Sequence, residues 1–540
     1  MNSPVDTIPL TQASGRSILY RPFNEAGEFA SLARQDELRR LAVRGVSATT
    51  LAQGLGLFIQ IVSTLILARI LTPTDFGLIT MVTTFSLLFV NAGGNGFTEA
   101  VLQRPQLNRT MASNLFWINV GTGCVLTLIF AAAGSLMARF YGNPRVAVIA
   151  AGMSLTIFFT SFNVLHIALL MRAMRFPTVY ANQMLARFIS VVVSVFLALA
   201  GWGVWALVGG AVMQPLAESV GIWVLCRWKP SLPRSDPATG SMVNFALHVY
   251  GRFSFNYFSR NCDNLLVGWR FNAQSLGFYK KAYDLFALSS VLQSFTSVAV
   301  SALSRMNQDA EQYKTRVLKA LSVAALLGMG VGGAVTLVGK DLIRVMLGPG
   351  WGPAGHIFVY FGPGFGIMFI YAIHSWIHLS LGKPDRWFKW GIIEFAVTVF
   401  LFVVALPWGP AGVAASWSLS LLLLALPSLV YAGKPVNLAL SSVVGVVWRY
   451  FVAAVGTVLV MAVMIGGFLR AEPSNAKAAI VRMLVICLLF AVLYLVAVIL
   501  MYRSRAPLDQ IIGLLQEMTA RRRQNEDQTA DPVGVPAKPH

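Results

Sequence analysis

The segment LARILTPTDFGLITMVTTF, residues 67–85, joins one apolar run to the next through a short polar turn. A related segment, VGWRFNAQSLGFYKK, occupies residues 267–281, so that Gly277 stands 200 residues after Gly77. AVLQR at residues 100–104 is matched in the same way by SALSR at residues 301–305. The identity is low but the positions agree, which indicates that the chain contains two related halves.

The runs that surround these segments are typical of a membrane protein. The chain has 540 residues, of which 56% are hydrophobic and only 12% charged, whereas soluble domains carry about 25% charged residues. Runs of about 20 apolar residues are long enough to cross a hydrocarbon core of about 30 Å. We therefore predict an all-α polytopic membrane protein with about 14 transmembrane helices, at residues 44–68, 77–98, 112–137, 146–170, 178–200, 203–226, 243–268, 278–303, 317–339, 355–381, 388–407, 411–432, 448–469 and 479–502.

The duplication predicts how these spans are grouped. Six spans separate the two copies, so both copies have the same orientation, and parallel repeats of this kind form two lobes with a substrate site between them. We expect two pseudo-symmetric six-helix lobes plus two C-terminal helices. The predicted parts are a cytoplasmic tail (1–41), an N-lobe (42–227), a cytoplasmic linker (228–242), a C-lobe (243–432), spans thirteen and fourteen (433–502), and a cytoplasmic tail (503–540).

The net charge of +20 reflects mainly orientation. The basic residues are dispersed among apolar spans, so nucleic acid is not an expected partner. Lys and Arg are more than twice as frequent in the tails and the loops after even-numbered spans as in the other loops. The positive-inside rule then places both termini in the cytoplasm. The N-terminus lacks a charged region followed at once by an apolar one, so we expect no cleaved signal peptide.

Catalytic and metal motifs are missing from the sequence. There is no GxxxxGK[ST], HExxH or GxSxG pattern, which argues against an enzyme and leaves transport driven by a gradient or by exchange. His374 and His378 are one turn apart without a clear third ligand, so we interpret them as a packed or cavity-facing pair and expect no metal and no cofactor. The four cysteines are interpreted as small apolar packing residues.

Span seven carries the strongest polar signal. Its polar residues form a stripe about 120° wide along the helix, and a charge at the bilayer centre costs roughly 2.5–3.5 kcal/mol. One interpretation is a structural ion pair of Arg260 with Asp263, which are three residues apart. The other is a water-filled cavity, which Arg252 favours because no acidic residue lies within one turn of it. The stripe consists of His248, Arg252, Asn256, Ser259, Arg260 and Asp263.

Weaker polar stripes lie on other spans. Gln53 and Gln60 of span one could line the same cleft, or pack helix against helix. Lys280 and Asp284 of span eight are four residues apart and could line it too, or belong to an interfacial belt of long basic side chains. Span two ends with two further candidates, Asn91 and Asn95.

Three further polar positions admit two interpretations. Arg187 of span five, with Asn182 and Gln183, is expected near the cytoplasmic end of its span, where its head group would reach the interface. Glu218 and Glu394 are isolated acids within spans six and eleven. Each is a candidate for coupling to a cation, against the alternative of a satisfied structural carboxyl group.

LARILTPTDFGLITMVTTF, followed by GFTEAVLQR at residues 96–104, resembles the N-terminal signature of the polysaccharide transporter family. These are Wzx-type flippases of lipid-linked oligosaccharides within the multidrug/oligosaccharidyl-lipid/polysaccharide (MOP) exporter superfamily. DNLLVGWRFNAQSLGFYKKAYDL, residues 263–285, is similar to the colanic-acid-exporter-like branch. The resemblance covers about residues 40–500.

The resemblance implies a MOP flippase-like fold in the bacterial inner membrane. The implied activity is alternating-access transfer of undecaprenyl-pyrophosphate-linked oligosaccharide repeat units from the cytoplasmic to the periplasmic leaflet, for exopolysaccharide, O-antigen or capsule synthesis. Implied partners are this glycan, membrane lipid, a coupling cation (H⁺ or Na⁺), and the polymerase and chain-length regulator of the pathway. Relatives hold the pyrophosphate with cationic cavity groups, but span one here carries only Arg44 at its edge, so the binding residues stay open.

Three alternatives are open. A flippase of the peptidoglycan precursor and a drug/cation antiporter belong to the same superfamily. The antiporter should carry acidic groups deep in one lobe, whereas here the intramembrane cations dominate. An integral-membrane polymerase or ligase usually needs a sizeable periplasmic loop, and no loop between the spans exceeds about 17 residues.

Overall fold

The computed structural model describes residues 19–29, 35–104, 106–288, 296–306, 309–468, 475–504 and 509. Sixteen α-helices lie within these ranges. The apolar runs explain the helices, because a backbone surrounded by hydrocarbon must pair its N–H and C=O groups internally, and a helix does so within one segment.

Two compact units divide the chain between residues 280 and 281. The first contains α1 (Gln35–Ile70), α2 (Pro73–Gln103), α3 (Arg109–Tyr141), α4 (Arg145–Arg172), α5 (Phe176–Leu199), α6 (Val204–Leu225), α7 (Pro237–Arg270) and the first half of α8 (Ala273–Phe286). The second contains the rest of α8, then α9 (Thr296–Ser304), α10 (Ala310–Leu347), α11 (Gly352–Tyr371), α12 (Ile373–Ser380), α13 (Pro384–Ala405), α14 (Gly409–Gly433), α15 (Leu440–Phe468) and α16 (Ala476–Tyr502).

Each predicted span corresponds to one helix or to two consecutive helices. Span eight includes α8 and α9, with residues 289–295 outside the described residues, and span ten includes α11 and α12, which meet at Ala372. Within the described residues, eleven helical segments are long and apolar enough to cross a membrane. α7 is not among them, since its polar stripe lowers its hydropathy. The predicted fold class, an all-α polytopic membrane protein, is confirmed.

The turn between α1 and α2 is built by a capping box. The Thr72 side chain accepts a hydrogen bond from the Asp75 backbone N–H at 3.3 Å, and the Asp75 carboxylate accepts one from the Thr72 N–H at 3.0 Å. Pro73 occupies the first helical turn, where its missing donor costs nothing. At the matching repeat position, Asn272 accepts from the Ser275 N–H at 2.8 Å before α8. The duplicated segment therefore starts a helix at the same place in both halves.

Residues 19–29 of the expected N-terminal tail pack against the first unit. Tyr20 donates its N–H to the Leu225 carbonyl oxygen at 2.9 Å, and its own carbonyl accepts from the Arg227 N–H at 2.8 Å. The Phe29 N–H donates to the Leu107 carbonyl oxygen at 3.2 Å. Arg175 stacks over the Tyr20 ring at 4.8 Å. Residues 19–29 therefore join the ends of α2, α4 and α6, and α1 begins at Gln35, earlier than the first apolar span.

Candidate functional site

The polar stripe of α7 is only partly described. The side chains of Arg252, Asn256 and Arg260 lie outside the described residues, although their backbone belongs to α7. Asp263, at the end of the stripe, is fully buried. Its carboxylate accepts from the Tyr279 hydroxyl of α8 at 2.8 Å and from the Asn264 N–H at 2.8 Å. A buried carboxylate needs such donors, so Asp263 connects α7 to α8.

The opposite face of α7 packs on α2. The Tyr257 hydroxyl donates to the Thr83 carbonyl oxygen at 3.3 Å, and the Tyr250 hydroxyl to that of Leu88 at 3.2 Å. On α2, the Asn91 amide donates to the Leu87 carbonyl oxygen at 2.7 Å. The Asn95 side chain lies outside the described residues. The structure thus packs α2 against the face of α7 that lies opposite the polar stripe.

α1 has two exposed faces, one polar and one apolar. Gln53 and Gln60 are exposed on one of them. Leu51, Leu55 and Phe58 are 74%, 50% and 64% exposed on the other, about 140–180° away around the helix. The apolar face is suited to lipid, and the two glutamines lie on the side of α1 that is turned away from it.

Arg187 lies where the sequence alone did not place it. It stands near the middle of the 24-residue α5, rather than at its end. A Cβ at Gly56 would be 2.7 Å from Arg187 Nη1, so the guanidinium rests on the α1 backbone. The exposed Leu185 and Phe196 of α5 are about 160–180° away from it around the helix. Arg187 therefore points away from lipid, between the levels of the two glutamines of α1.

Glu218 of α6 has partners on α5. Its carboxyl group is hydrogen-bonded by the Gln183 side chain, and Arg187 is close enough to act on it electrostatically. The Asn182 amide also donates to the Glu218 carbonyl oxygen at 2.9 Å, which fixes α5 against α6. Glu218 is thus a neighbouring countercharge of Arg187, not an isolated acid.

We call Gln53, Gln60, Gln183, Arg187 and Glu218 the interior polar cluster. Gln183 and Arg187 of α5 act on Glu218 of α6, and the exposed Gln53 and Gln60 flank Gly56, the position on α1 where Arg187 rests. A guanidinium flanked by amide donors can bind a phosphate or carboxylate. When no such anion is bound, the Glu218 carboxylate balances the charge of Arg187. Sequence spacing could not reveal the cluster, because its members come from three helices; a helical-wheel comparison of α5 would have identified the orientation of Arg187.

The second unit contains two further sets of ionisable residues. On α8, Lys281 is buried and its Nζ lies 3.5 Å from the Asp284 carboxylate, while Lys280, the last residue of the first unit, is half-buried. On α13, the Glu394 carboxyl group is hydrogen-bonded to the Tyr371 hydroxyl, which accepts from Trp390 Nε1 at 3.0 Å. Asp284 and Glu394 therefore both have partners within the protein.

Sequence comparison assigns the chain to a family. A family model described as polysaccharide biosynthesis protein matches residues 66–355, more than half of the chain. The succinoglycan biosynthesis transport protein ExoT of Rhizobium meliloti (strain 1021) is 21% identical over 342 residues, 63% of this chain and 69% of the relative. The lipopolysaccharide biosynthesis protein WzxC of Escherichia coli (strain K12) is 22% identical over 325 residues, 58% of this chain. That match spans 65% of WzxC, slightly less than two thirds of its length.

Structural comparison identifies the fold. The lipid II flippase MurJ in an inward closed conformation matches with a TM-score of 0.65 and 13% identity, covering 85% of this chain and 99% of MurJ. An inward-facing multidrug resistance MATE family transporter of the MOP superfamily matches with a TM-score of 0.58 and 13% identity, covering 70% of this chain and 94% of the transporter. The chain therefore has the fold of MOP-superfamily transporters and belongs to the polysaccharide biosynthesis protein family.

Proposed function

We propose that the protein is a flippase of the bacterial inner membrane, with both termini in the cytoplasm. Its substrate would be an undecaprenyl-pyrophosphate-linked oligosaccharide repeat unit, carried from the cytoplasmic to the periplasmic leaflet. The names of ExoT and WzxC associate those relatives with polysaccharide biosynthesis, and ExoT with transport. The observation that carries the proposal is the interior polar cluster, which provides an arginine amid helices apolar enough to cross a membrane.

The chemistry of the cluster suits a pyrophosphate. The Arg187 guanidinium can donate two parallel hydrogen bonds to phosphate oxygens, and Gln53, Gln60 and Gln183 can donate further ones. Without substrate, Glu218 reduces the cost of keeping this cation away from water. An arriving anion would compete with Glu218 for Arg187, and binding would thus change the charge balance inside the unit.

Further binding residues are proposed from the sequence. Arg252, Asn256 and Arg260 of α7, with Lys280 of α8, would contact the same anion or acidic sugars. Asn91, Asn95 and Asp284 would bind hydroxyl groups or organise the cations, and Asp263 would hold α7 against α8. The undecaprenyl tail would stay in membrane lipid while the lobes predicted at 42–227 and 243–432 alternate between inward and outward access.

Coupling to a cation, H⁺ or Na⁺, would supply the energy, with Glu218 and Glu394 as candidate sites. The polymerase and chain-length regulator of the same pathway would take over the delivered repeat unit. The likeness to MurJ makes the peptidoglycan precursor the second candidate substrate, and the likeness to a MATE transporter makes a drug the third. These likenesses concern the fold alone, whereas the family match favours a polysaccharide precursor.

Depletion of the protein in its source bacterium tests the proposal. We expect surface polysaccharide to disappear and lipid-linked repeat units to accumulate on the cytoplasmic leaflet, with recovery when the wild-type chain is restored. Accumulation of the peptidoglycan precursor with loss of viability would instead support the second candidate. Normal polysaccharide with no accumulated lipid-linked sugar would contradict both assignments.

A further inference from the structure

Two buried histidines form a stripe with a tyrosine in the second unit. His374 and His378 of α12 are 5% and 1% exposed, and Tyr371 at the end of α11 is 4% exposed. His374 and His378 lie within about 40° of each other around α12. The ring centroids of Tyr371 and His374 are 4.4 Å apart, and those of the two histidines 6.1 Å. An uninterrupted row of polar rings therefore extends along two turns.

The histidines retain unused proton-binding atoms. His374 Nδ1 is hydrogen-bonded to the Tyr371 carbonyl oxygen. A carbonyl oxygen only accepts, so Nδ1 carries the proton and Nε2 of neutral His374 has a free lone pair. Within the described residues, this Nε2 and both ring nitrogens of His378 are buried without a hydrogen-bond partner. Buried polar atoms in proteins are nearly always satisfied, so these nitrogens are positions where a water molecule or a proton can bind.

The row connects to an acid on the neighbouring helix. The Tyr371 hydroxyl is held between Trp390 Nε1, which donates to it at 3.0 Å, and the Glu394 carboxyl group. The exposed Phe400 and Val403 of α13 are about 120–180° away from Glu394 around the helix. Glu394 therefore points away from lipid, toward the row of rings.

The other end of the row reaches the turn between α12 and α13. Arg386 stacks over the Tyr431 ring at 4.5 Å and donates to the Tyr431 carbonyl oxygen at 2.6 Å. The His378 ring lies 5.8 Å from that of Tyr431, and Asp385 and Arg386 both act on it electrostatically. Asp385 is exposed. Water can therefore approach this end of the row.

The other helices packed against α12 add few ionisable groups. α10 contributes Tyr313, whose hydroxyl is hydrogen-bonded to Ser380 at 2.6 Å. α9 contributes Thr296, which accepts from Trp376 Nε1 at 3.0 Å, and no ionisable residue. The ionisable groups that the structure places beside the row include Tyr313, Lys383, Asp385, Arg386, Glu394 and Tyr431.

We propose that Glu394, Tyr371, His374 and His378 form a proton path that couples transport to the proton gradient. This inference rests on the proposed function and selects the proton as its coupling ion. Protonated Glu394 gives its proton, through the Tyr371 hydroxyl and water, to Nε2 of neutral His374, which leaves a carboxylate and an imidazolium. The imidazolium passes one proton to His378, which releases it to water beside Asp385. The predicted topology makes that end cytoplasmic.

Proton flux into proteoliposomes tests the path. The full-length protein, reconstituted with undecaprenyl pyrophosphate in the membrane and a pH-sensitive dye inside, would be driven by a potassium diffusion potential. We expect Glu394→Gln to lower the flux about tenfold or more, and Tyr371→Phe and His374→Asn about threefold or more, because each removes one proton-transfer atom. In the His374→Asn variant, the asparagine side-chain amide can still donate a hydrogen bond to the Tyr371 carbonyl oxygen. His356→Gln, an exposed histidine of α11, is the matched control and should conduct as the wild type does.

Each outcome decides the inference. Variants that melt at the wild-type temperature yet conduct protons at the wild-type rate would overturn it, as would a wild-type protein that conducts none. Tyr371→Phe keeps the ring and its packing, so it remains informative if a histidine variant fails to fold. Failure of the proposed function has a separate signature, namely unchanged surface polysaccharide after depletion, whatever the proton flux.

Discussion

Gly77 and Gly277 pack reciprocally at the first turns of α2 and α8. A Cβ on Gly77 would overlap the Ala273 carbonyl oxygen, and one on Gly277 would overlap that of Pro73. A Cβ on Gly277 would also lie 3.2 Å from the Gly77 nitrogen. The two copies of the repeated segment thus contact each other directly, and only the smallest residue permits two helices to approach this closely.

Alanine at either glycine should therefore separate the two helix starts. We expect Gly77→Ala and Gly277→Ala each to destabilise the protein by about 1–3 kcal/mol, the usual cost of overpacking a close contact. Thermal unfolding of the purified protein in detergent measures the effect. Gly121→Ala is the control, because nothing lies within 4 Å of its added Cβ. Equal melting of all three variants would contradict the close approach.

Loss of the Arg187 charge should impair transport more than folding. Arg187→Gln is expected to lower the export of lipid-linked sugar about tenfold, which corresponds to the loss of about 1.4 kcal/mol of binding. Arg187→Lys should restore only part of the activity, since an ammonium group lacks the planar fork of a guanidinium. Surface polysaccharide at matched protein levels is the readout. Arg139→Gln, an exposed arginine at the end of α3, should have no effect.

A substitution on α1 can test the position of the Arg187 guanidinium without changing Arg187 itself. Gly56→Ala places a Cβ 2.7 Å from Arg187 Nη1 and should displace the guanidinium, giving an intermediate transport defect. Gly54→Ala, two residues earlier on the same helix, meets nothing within 4 Å. It should export sugar at the wild-type rate or slightly stabilise α1, because alanine favours helix over glycine by about 1 kcal/mol. If both variants behave alike, Arg187 does not rest on α1.

Glu218 and Arg187 should be energetically coupled. Glu218→Gln leaves the cation without its countercharge and should lower stability, because an uncompensated charge in the membrane costs roughly 2.5–3.5 kcal/mol. The double variant Glu218→Gln/Arg187→Gln should then be more stable than Glu218→Gln alone. A double-mutant cycle of thermal stabilities measures the coupling, for which we expect about 0.5–3 kcal/mol. Additive effects would show that the two groups do not interact.

The bond between Asp263 and Tyr279 should fix α7 to α8. Tyr279→Phe removes the hydroxyl donor and leaves a buried carboxylate with one partner fewer, at a cost of about 1.5–3 kcal/mol, typical of a hydrogen bond to a charged group. Tyr360→Phe, at a tyrosine that is 50% exposed, is the matched control. Melting temperatures that shift equally for the two phenylalanine variants would rule out a stabilising role for this bond.

Much of the fold follows from the sequence, for a simple reason. Helices in hydrocarbon must satisfy their own backbone groups, so apolar length alone identifies them. Thr72 and Asn272 start α2 and α8 at matching repeat positions, and local capping groups determine such starts. Two helix bounds differ from the apolar runs: α1 already includes Gln35, before the first run, and the end of span ten forms a separate helix, α12.

The candidate site was less accessible from the sequence. The α7 stripe is visible as a pattern on one helix, and the side chains of Arg252 and Arg260 remain outside the described residues. Arg187 was expected at the membrane interface, because a single arginine in a span gives no sign of which neighbouring helix it touches. Similarly, Glu394 looked isolated until the structure placed Tyr371 beside it.

By itself, the sequence determined that this protein crosses the membrane many times, that its halves are related, and which helix is the most polar. These properties depend on neighbours along the chain and on the thickness of the hydrocarbon layer. Only the tertiary structure decided that Arg187 rests on Gly56 beside Glu218, and that Gly77 and Gly277 pack on each other's helices. Such contacts join residues of different helices, and their distances depend on how side chains of particular size pack, which no periodicity along a single helix encodes.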